Sequence, residues 1–171
     1  MPRVFYALWP DGPARDALDR ARREAQRTSG GRAMRRDNLH QTLVFVGSVD
    51  AEKISALETV AGSIAAAPFT LEFGAAGYWR HNRIVWAAPG AMPPALTGLV
   101  TALEQELTQA GFTFDHRSYF PHVTLLRNAR MPTHLPSMLF AWPVREFVLL
   151  ESARGPRGAE YRVVKRWALT G

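Results

Sequence analysis

Two short segments of the sequence begin with a histidine and carry a threonine two residues later. His40 and Thr42 form the first pair, and His122 and Thr124 form the second. Each pair runs on into apolar residues typical of a β-strand. Alternate side chains of a strand share a face, so the histidine and threonine of each pair point the same way. The chain therefore carries the same pair of side chains twice.

Two histidines suit a reaction that needs a proton acceptor and a proton donor near neutral pH, because imidazole titrates in that range. In-line attack on a phosphodiester has this requirement. One group activates water, a group on the opposite side protonates the departing oxygen, and further donors hold the charged phosphate oxygens. A twofold arrangement would place the imidazoles on opposite sides of one phosphate, with the hydroxyls of Thr42 and Thr124 as donors.

An arginine follows the second pair and offers a positive charge to the same phosphate. Arg127 lies three residues beyond Thr124, and an odd separation places two side chains on opposite faces of a regular strand. Arg127 therefore reaches the site only if the strand ends or twists before it. One histidine–threonine pair alone arises often by chance and most often marks a half-buried structural histidine, so the signal is the presence of two.

The remaining histidines do not form a metal-binding pattern. Only His116 and His122 lie close together in the sequence, and no cluster of carboxylates accompanies them. We therefore expect catalysis without a metal ion. His81 and His116 are predicted to lie in loops or a groove, and His134 in a proline-bounded loop.

The composition is that of an ordinary globular protein, with 171 residues, 47% of them hydrophobic and 21% charged. This length fits one compact domain over residues 1–171. No apolar run approaches the ~20 residues of a membrane span, and the first residues lack the regions of a signal peptide, so we expect a cytoplasmic protein. The lack of cysteine excludes disulfides, thiolate metal sites and a cysteine nucleophile.

The net charge of +6 favours a polyanionic partner such as RNA. Abundant alanine, arginine, glycine and proline are also typical of a GC-rich genome, so the charge alone leaves the partner open. Aromatic residues leave a similar choice between core packing and base stacking. We expect Trp86 and Trp167 in the core. The possible stacking surfaces are Phe5, Tyr6, Trp9, Trp79 and Tyr119.

Apolar periodicity predicts three helices. The first is capped by Asp11, ends at Thr28–Gly31 and exposes its arginines, which are Arg15, Arg22 and Arg23. The second is capped by Asp50 and includes Ile54, Leu57, Ala61 and Ile64. The third ends at Gly111 and carries the clearest stripe, formed by Leu96, Leu99, Val100, Leu103 and Leu107.

The predicted strands do not alternate regularly with helices, so the pattern favours an α+β fold with largely antiparallel sheets over a doubly wound one. Residues 69–73 and 83–87 are predicted to form a hairpin around a loop that holds Trp79, Arg80 and His81. The repeated pair further indicates two similar lobes related by an approximate twofold. The remaining strands are predicted at 4–9, 40–47, 122–126, 144–152 and 161–169.

These segments resemble the two-histidine phosphoesterases, and specifically the LigT-like bacterial RNA 2′,3′-cyclic phosphodiesterases, also called 2′-5′ RNA ligases. The resemblance extends over nearly the whole chain, because two terminal segments are similar as well as the two motifs. The similar segments are 3–8, 37–47, 120–127 and 161–169.

The resemblance implies a bilobal fold in which two antiparallel sheets with pseudo-twofold symmetry face a central cleft, with helices on the outside. It implies hydrolysis of an RNA or nucleotide 2′,3′-cyclic phosphate to a 2′-phosphate, without a metal or other cofactor. By position, His40 is the expected general acid, protonated at the start, and His122 the expected general base, neutral at the start. Thr42, Thr124 and Arg127 are expected to bind the phosphate.

Three further residues are expected near the base or ribose of the substrate, namely Phe5, Arg117 and Tyr119. The expected partners are RNA ends or nucleotides that carry a 2′,3′-cyclic phosphate, bound by a monomer with no membrane and no metal. Two alternatives stay open. One is RNA ligation through a 2′-5′ bond at the same site, and the other is a non-catalytic basic RNA-binding module.

Overall fold

A computed structural model of the protein describes all 171 residues. The chain forms nine β-strands and three α-helices, with short 3₁₀ turns before β3 and before α2. In chain order the elements are β1 (Arg3–Leu8), α1 (Gly12–Ser29), β2 (Arg32–Ala33), β3 (Gln41–Ser48), α2 (Ile54–Gly62), β4 (Phe69–Trp79), β5 (Ile84–Pro89), α3 (Pro94–Gln109), β6 (Val123–Arg127), β7 (Phe140–Val144), β8 (Glu146–Gly155) and β9 (Gly158–Ala168).

The strands form one curled antiparallel sheet in which β3 and β6, the two strands that follow the histidines, lie side by side at the centre. β3 continues outward through β1, β8 and β9, and β6 continues through β5, β4 and β7, with β2 also paired to β6. The two halves meet through a single residue pair, Gln41 with Val123. The predicted α+β fold is confirmed, and its two sheets are the halves of one continuous sheet.

The helices cover one face of this sheet. α1 packs against β5, β6 and β7, whereas α3 packs against β3, and α2 packs against β9 and α3. Gln41 and Leu43 point into this covered face, so His40 and Thr42 point to the opposite face. No helix combines the length and the hydropathy that spanning a bilayer requires.

Helix α1 begins and ends where the sequence predicts. The Asp11 carboxylate accepts a hydrogen bond from the Ala14 amide at 2.9 Å, and Gly30 ends the helix with a φ of 57°. The prediction that Arg15 lies on the exposed surface is wrong. Arg15 is only 7% exposed, and its guanidinium carbon lies 4.5 Å from the centroid of the Trp9 ring.

The other two helices are confirmed, with a correction at the start of α2. Asp50 precedes a 3₁₀ turn at Ala51–Lys53 rather than α2 itself, and its side chain makes no capping hydrogen bond. The predicted Ile64 lies beyond the end of α2 and packs against the core from there. Helix α3 buries its whole predicted stripe, and Gly111 follows it with a φ of 81°.

The hairpin of β4 and β5 is confirmed, with a longer first strand than predicted. β4 runs on to Trp79, which pairs with Ile84 and so lies in the strand rather than in the loop. The predicted first strand, Phe69–Phe73, pairs along its length with β7. Gly77 lies opposite Trp86, and a Cβ at Gly77 would stand 2.2 Å from the indole. Glycine therefore leaves room for the Trp86 ring, which is half-buried over β4 rather than in the core.

The main core lies between the sheet and the helices, and a second, small apolar cluster lies on the other face of the sheet. Strand β1 alternates between them, with Phe5 and Ala7 in the small cluster. Tyr6 is fully buried in the main core, where its hydroxyl donates to the Leu57 carbonyl at 2.6 Å. Tyr6 is therefore not a stacking surface.

Candidate functional site

The two histidine–threonine pairs lie next to each other on the open face of the sheet. The residue pair that joins the two halves is antiparallel, so the residue before one member lies opposite the residue after the other. His40 therefore lies opposite Thr124, and Thr42 lies opposite His122. Opposite residues share a face, and diagonal neighbours in such a ladder are about 7 to 8 Å apart. The histidines thus occupy diagonal corners around a space of phosphate size.

The His40 ring is held on several sides. Its Nδ1–H donates to the Asn38 carbonyl at 2.7 Å, and its Nε2 lies 3.2 Å from the Thr42 hydroxyl. Phe5 and Tyr161 flank the ring, each with its centroid 5.0 Å away. Because a carbonyl oxygen only accepts, the first contact fixes a proton on Nδ1. Nε2 is therefore the nitrogen that exchanges a proton with a substrate.

The His122 ring is held in the same way among different neighbours. Its Nδ1–H donates to the Phe120 carbonyl at 2.8 Å. Trp79 packs edge-on against it at 4.7 Å between centroids, and Trp86 packs behind Trp79 at 5.5 Å. In both motifs the accepting carbonyl belongs to the residue two positions before the histidine. The two rings therefore adopt the same tautomer, with Nε2 available for proton transfer.

Two buried side chains brace the segment that leads into the first motif. Asn38, which is 6% exposed, donates from Nδ2 to the Ala159 carbonyl at 2.7 Å. Arg15 donates to the carbonyls of Arg36 at 2.7 Å and Leu39 at 3.0 Å. These contacts fix the turn before the histidine relative to α1 and β9. Asn38 belongs to a segment that carries the family resemblance, whereas no pattern in the sequence marks Arg15.

A register shift in β6 turns Arg127 toward the open face. Thr124 pairs with Trp86 of β5, and Leu126 pairs with the adjacent Val85. Leu125 is therefore inserted between the two pairs. Such a bulge reverses the alternation of side chains beyond it. Leu125 and Leu126 are accordingly both buried, and Arg127 returns to the face of Thr124. This is the irregularity that the prediction for Arg127 required.

Strand β3 carries the same shift after its own threonine. Successive residues of β1 pair with Thr42 and Val44, so that Leu43 is the inserted residue. Beyond the shift, Phe45 holds the position in β3 that Arg127 holds in β6. The backbone of the motif is therefore repeated more exactly than its side chains.

Burial keeps both histidines neutral near pH 7. Together with smaller effects from the charges of Arg127 and His122, burial lowers the pKa of His40 from its ordinary 6.5 to about 4. Burial also lowers the pKa of His122, and the charge of Arg127 acts in the same direction. The resting site therefore differs from the predicted one, in which His40 starts protonated.

Tyr119 joins the segment before the second histidine to the first motif. Its hydroxyl donates to the Thr42 carbonyl at 3.0 Å and accepts from Gln41 Nε2 at 3.3 Å. Gln41 is completely buried, and its Oε1 has no hydrogen-bond partner. Burial raises the pKa of the Tyr119 phenol, so the hydroxyl keeps its proton and remains a donor. Tyr119 thus connects the two halves of the sheet at their junction.

Phe5 and Arg117, the other two predicted substrate contacts, lie at opposite extremes of exposure. Phe5 is 3% exposed beneath the His40 ring. The Arg117 side chain is 88% exposed and forms an ion pair with Asp115. No contact connects Arg117 to either histidine.

The remaining histidines lie outside the site. His81 is exposed in the β4–β5 turn, with its ring 6.3 Å from Trp79. His116 packs on Phe114 at 4.2 Å, and His134 is exposed in its loop. No three His, Asp or Glu side chains converge as they do in a metal site.

A cavity of about 550 Å³ lies away from the histidines. It opens between the start of α1 and the turn from β7 to β8, and Trp9, Trp142 and Arg166 are among the residues that line it. It contains none of the residues predicted to do chemistry. The site is therefore located by its paired side chains and not by cavity size.

Comparison with known proteins gives a family. A family model described as LigT like Phosphoesterase matches residues 8–86, which include the first motif. An RNA 2′,3′-cyclic phosphodiesterase of Escherichia coli (strain K12) is 36% identical over 170 residues, which cover 98% of this chain and 97% of that protein. A protein of the same name from Thermus thermophilus is 28% identical, covering 99% of this chain and 91% of that protein.

Solved structures agree with these sequences. The crystal structure of E. coli LigT complexed with 3′-AMP has a TM-score of 0.90 and 35% identity, and the match covers 100% of both chains. Both the sequence match and the structural match thus include the second motif, which lies outside the region of the family model. The chain belongs to the LigT-like phosphoesterase family.

Proposed function

We propose that this protein hydrolyses the 2′,3′-cyclic phosphate of RNA ends or nucleotides to a 2′-phosphate. The observation that carries the proposal is the diagonal arrangement of His40 and His122, with the Nδ1 of each ring bonded to a backbone carbonyl. Relatives named RNA 2′,3′-cyclic phosphodiesterases, which match nearly the whole chain, support the same substrate.

The reaction follows from where the two imidazoles lie. His122 Nε2 takes a proton from water, the water oxygen attacks phosphorus, and the bond from phosphorus to the 3′ oxygen breaks. His40 Nε2–H gives its proton to that departing oxygen. The phosphate stays on the 2′ oxygen, and His122 then releases its proton to solvent, which returns both imidazoles to the neutral resting state.

Three further side chains hold the phosphate in this scheme. The hydroxyls of Thr42 and Thr124 donate to its non-bridging oxygens from the two remaining corners. The Arg127 guanidinium adds a positive charge where negative charge accumulates during attack. Its charge lowers the pKa of both histidines, which supports a place near both rings.

The low pKa of His40 requires the substrate to complete the acid. A bound phosphate brings negative charge next to the imidazole, and a negative charge within about 4 to 6 Å raises the pKa of a histidine. His40 is therefore neutral before the substrate binds and gains its proton with it. His122 opposes a water rather than a phosphate oxygen and remains the base.

The three predicted substrate contacts have different roles in this proposal. Phe5 supports the His40 ring from below, and Tyr119 holds the Thr42 backbone, so both position the site. Arg117 forms an ion pair with Asp115, and its exposed guanidinium meets a base or ribose in this proposal. Phe120, 45% exposed beside His122, offers an open aromatic face for the same purpose.

The proposal includes the rest of the predicted setting. Residues 1–171 form a single two-lobed domain, which acts as a monomer in the cytoplasm and uses neither a metal nor a membrane. RNA ends or nucleotides are its partners. Ligation through a 2′-5′ bond and RNA binding without turnover stay as alternatives.

One assay tests the proposal directly. The protein is incubated with a 2′,3′-cyclic nucleotide in excess EDTA, and the 2′-phosphate and 3′-phosphate products are separated. We expect the 2′-phosphate alone, at an undiminished rate in EDTA, and a rate lowered by about 10²-fold or more in His40→Ala and in His122→Ala. A 3′-phosphate product, or full activity in either variant, contradicts the mechanism. Binding of RNA without turnover favours a binding module, and joined RNA ends favour ligation.

A further inference from the structure

One edge of the cleft is unusually free of negative charge. Seven ion pairs neutralise other arginines of the surface. Three stretches of chain that contribute to this edge, residues 25–36, 73–103 and 116–144, contain no aspartate or glutamate. Five exposed arginines from these stretches have no ion-pair partner. Three of them pair with β6 or contact the segment that follows it, and we call these three the arginine rim: Arg32, Arg80 and Arg83.

The arginine rim adjoins the proposed phosphate site through Arg127. Arg32 pairs directly with Arg127 between β2 and β6, and paired residues share a face of the sheet. The β4–β5 turn carries the other two rim residues and packs on the segment that follows β6, where the Arg83 carbonyl accepts from the Ala129 amide at 3.0 Å. Arg80 reaches the same segment. The rim therefore continues the positively charged side of the cleft outward.

The backbone at the arginine rim is strained. Arg83 has a φ of 55° and Asn128 a φ of 53°, in the left-handed region that residues other than glycine rarely adopt. Arg83 Nη2 donates to Asn128 Oδ1 at 3.4 Å, so the two left-handed residues also contact each other. Asparagine or glycine is the ordinary choice for such a position. An arginine here is therefore not explained by the turn, and strain of this kind clusters at functional sites.

We propose that the arginine rim binds the sugar–phosphate backbone of an RNA chain on the 5′ side of its terminal cyclic phosphate. This inference rests on the proposed function and specifies it, because it makes oligomeric RNA a better substrate than a nucleotide. A cyclic phosphate ends the chain, so the RNA continues only in the 5′ direction. β6 advances about 3.3 Å per residue, which puts Arg127 about 10 Å along the strand from Thr124, with Arg32 beside it. Guanidinium groups without a carboxylate partner are available for the phosphates that follow.

The test compares a short RNA that ends in a 2′,3′-cyclic phosphate with 2′,3′-cyclic AMP. The rim variant combines Arg32→Gln, Arg80→Gln and Arg83→Asn, the last because asparagine tolerates the left-handed backbone. We expect kcat/KM for the RNA to fall about tenfold at low salt, while kcat/KM for cyclic AMP changes by less than about twofold. The salt dependence should also become shallower, since each lost contact to single-stranded RNA removes about 0.7 from the slope.

A matched control removes the same charge from elsewhere. Arg20, Lys53 and Arg145 are exposed and have no ion-pair partner, and they lie on α1, before α2 and between β7 and β8. Their triple replacement by glutamine should leave kcat/KM for both substrates and its dependence on salt concentration unchanged. Melting temperatures of both triple variants should match the parent, and the single Arg32→Gln variant should show the same selective effect at smaller size.

Two outcomes overturn the inference. In the first, kcat/KM of the rim variant falls equally for RNA and for cyclic AMP. In the second, kcat/KM for RNA falls as much in the control variant as in the rim variant. If the parent protein hydrolyses neither substrate, the proposed function fails instead. Fluorescence anisotropy with a 3′-phosphorylated RNA then tests the rim by itself, and binding as tight as that of the parent protein contradicts it.

Discussion

The His40 half and the His122 half of the cleft contain the same strand motif in different surroundings. In both halves Nδ1 donates to the carbonyl two residues earlier, and an inserted residue follows the threonine. Beyond that insertion, one half places Phe45 on the open face and the other places Arg127. The repeated part fixes where the imidazoles lie, and the unrepeated part sets their electrostatic environment.

The two environments suit different protonation behaviour. Phe5 stacks on Phe45 at 6.1 Å and meets Tyr161 at 5.3 Å, so the first imidazole rests on an apolar cluster. Such a cluster disfavours the charged ring until an anion is present, whereas the guanidinium of Arg127 attracts that anion. The same motif can therefore supply an acid in one half and a base in the other, because the residues around each histidine differ.

The assignment of acid and base is the most consequential part of this comparison. A cyclic substrate with sulfur in place of the 3′ bridging oxygen has a leaving group that departs as thiolate without a proton. We expect His40→Ala to lose about 10²- to 10⁴-fold in kcat on the oxygen substrate and much less on the sulfur substrate. His122→Ala should lose activity on both. Single-turnover rates make the comparison. If the sulfur substrate restores the activity of His122→Ala and not that of His40→Ala, the two roles are exchanged.

Substitutions at Phe45 and Arg127, which hold equivalent positions in β3 and β6, are expected to have the next largest effect on activity. Arg127→Gln should lower kcat/KM about 10- to 100-fold, because one charged contact to the phosphate is lost. Removing this positive charge also raises the pKa of His122 in the free protein, so the acidic limb of the kcat/KM profile should move to higher pH. Phe45→Leu is the matched change in the other half, and we expect it to cost less than about fivefold. An acidic limb that stays fixed in Arg127→Gln places the guanidinium outside the site.

Features with local causes could be predicted from the sequence. The Asp11 cap and Gly30 bound α1 through contacts within a few residues of chain, and the α3 stripe follows from helical periodicity alone. The two histidine strands were equally visible, because the alternation and the apolar run lie in the same few residues. The family resemblance adds two antiparallel sheets that face a central cleft, whereas the joining of these sheets through β3 and β6 is seen only in the structure.

Features that depend on distant chain segments could not be predicted in the same way. The inserted Leu125 changes the face of Arg127, yet one leucine more or less leaves the strand pattern intact. Arg15 looks like any arginine on an amphipathic helix, because its partners are backbone carbonyls that carry no sequence signal. Trp79 lies in β4 rather than in the predicted loop, because the strand continues past Gly77, where the missing side chain leaves room for the ring of Trp86.

The low pKa of His40 predicts a dependence of stability on pH. The folded pKa of about 4 lies below the ordinary 6.5, so between these values the unfolded chain binds more protons and stability falls as the pH falls. Between pH 7 and pH 4.5 this one group should cost about 2 kcal/mol. In urea unfolding, His40→Gln should lose that much less stability over the interval than the parent does. A His40→Gln curve parallel to that of the parent removes the electrostatic contrast between the halves.

The junction of the two halves gives the smallest effect. Tyr119→Phe deletes the hydroxyl that donates to the Thr42 carbonyl and leaves the buried Gln41 amide without that partner, at a cost of about 1 kcal/mol in unfolding free energy. Tyr6→Phe is the matched control, since it deletes a buried hydroxyl bond to a helix carbonyl within the main core. Both variants should lose similar stability. Only Tyr119→Phe should lower kcat, by a few fold and without a change in KM, because the Thr42 backbone beside His40 becomes less well positioned. Equal kcat values in the two variants mean that the halves are held in register without the Tyr119 hydroxyl.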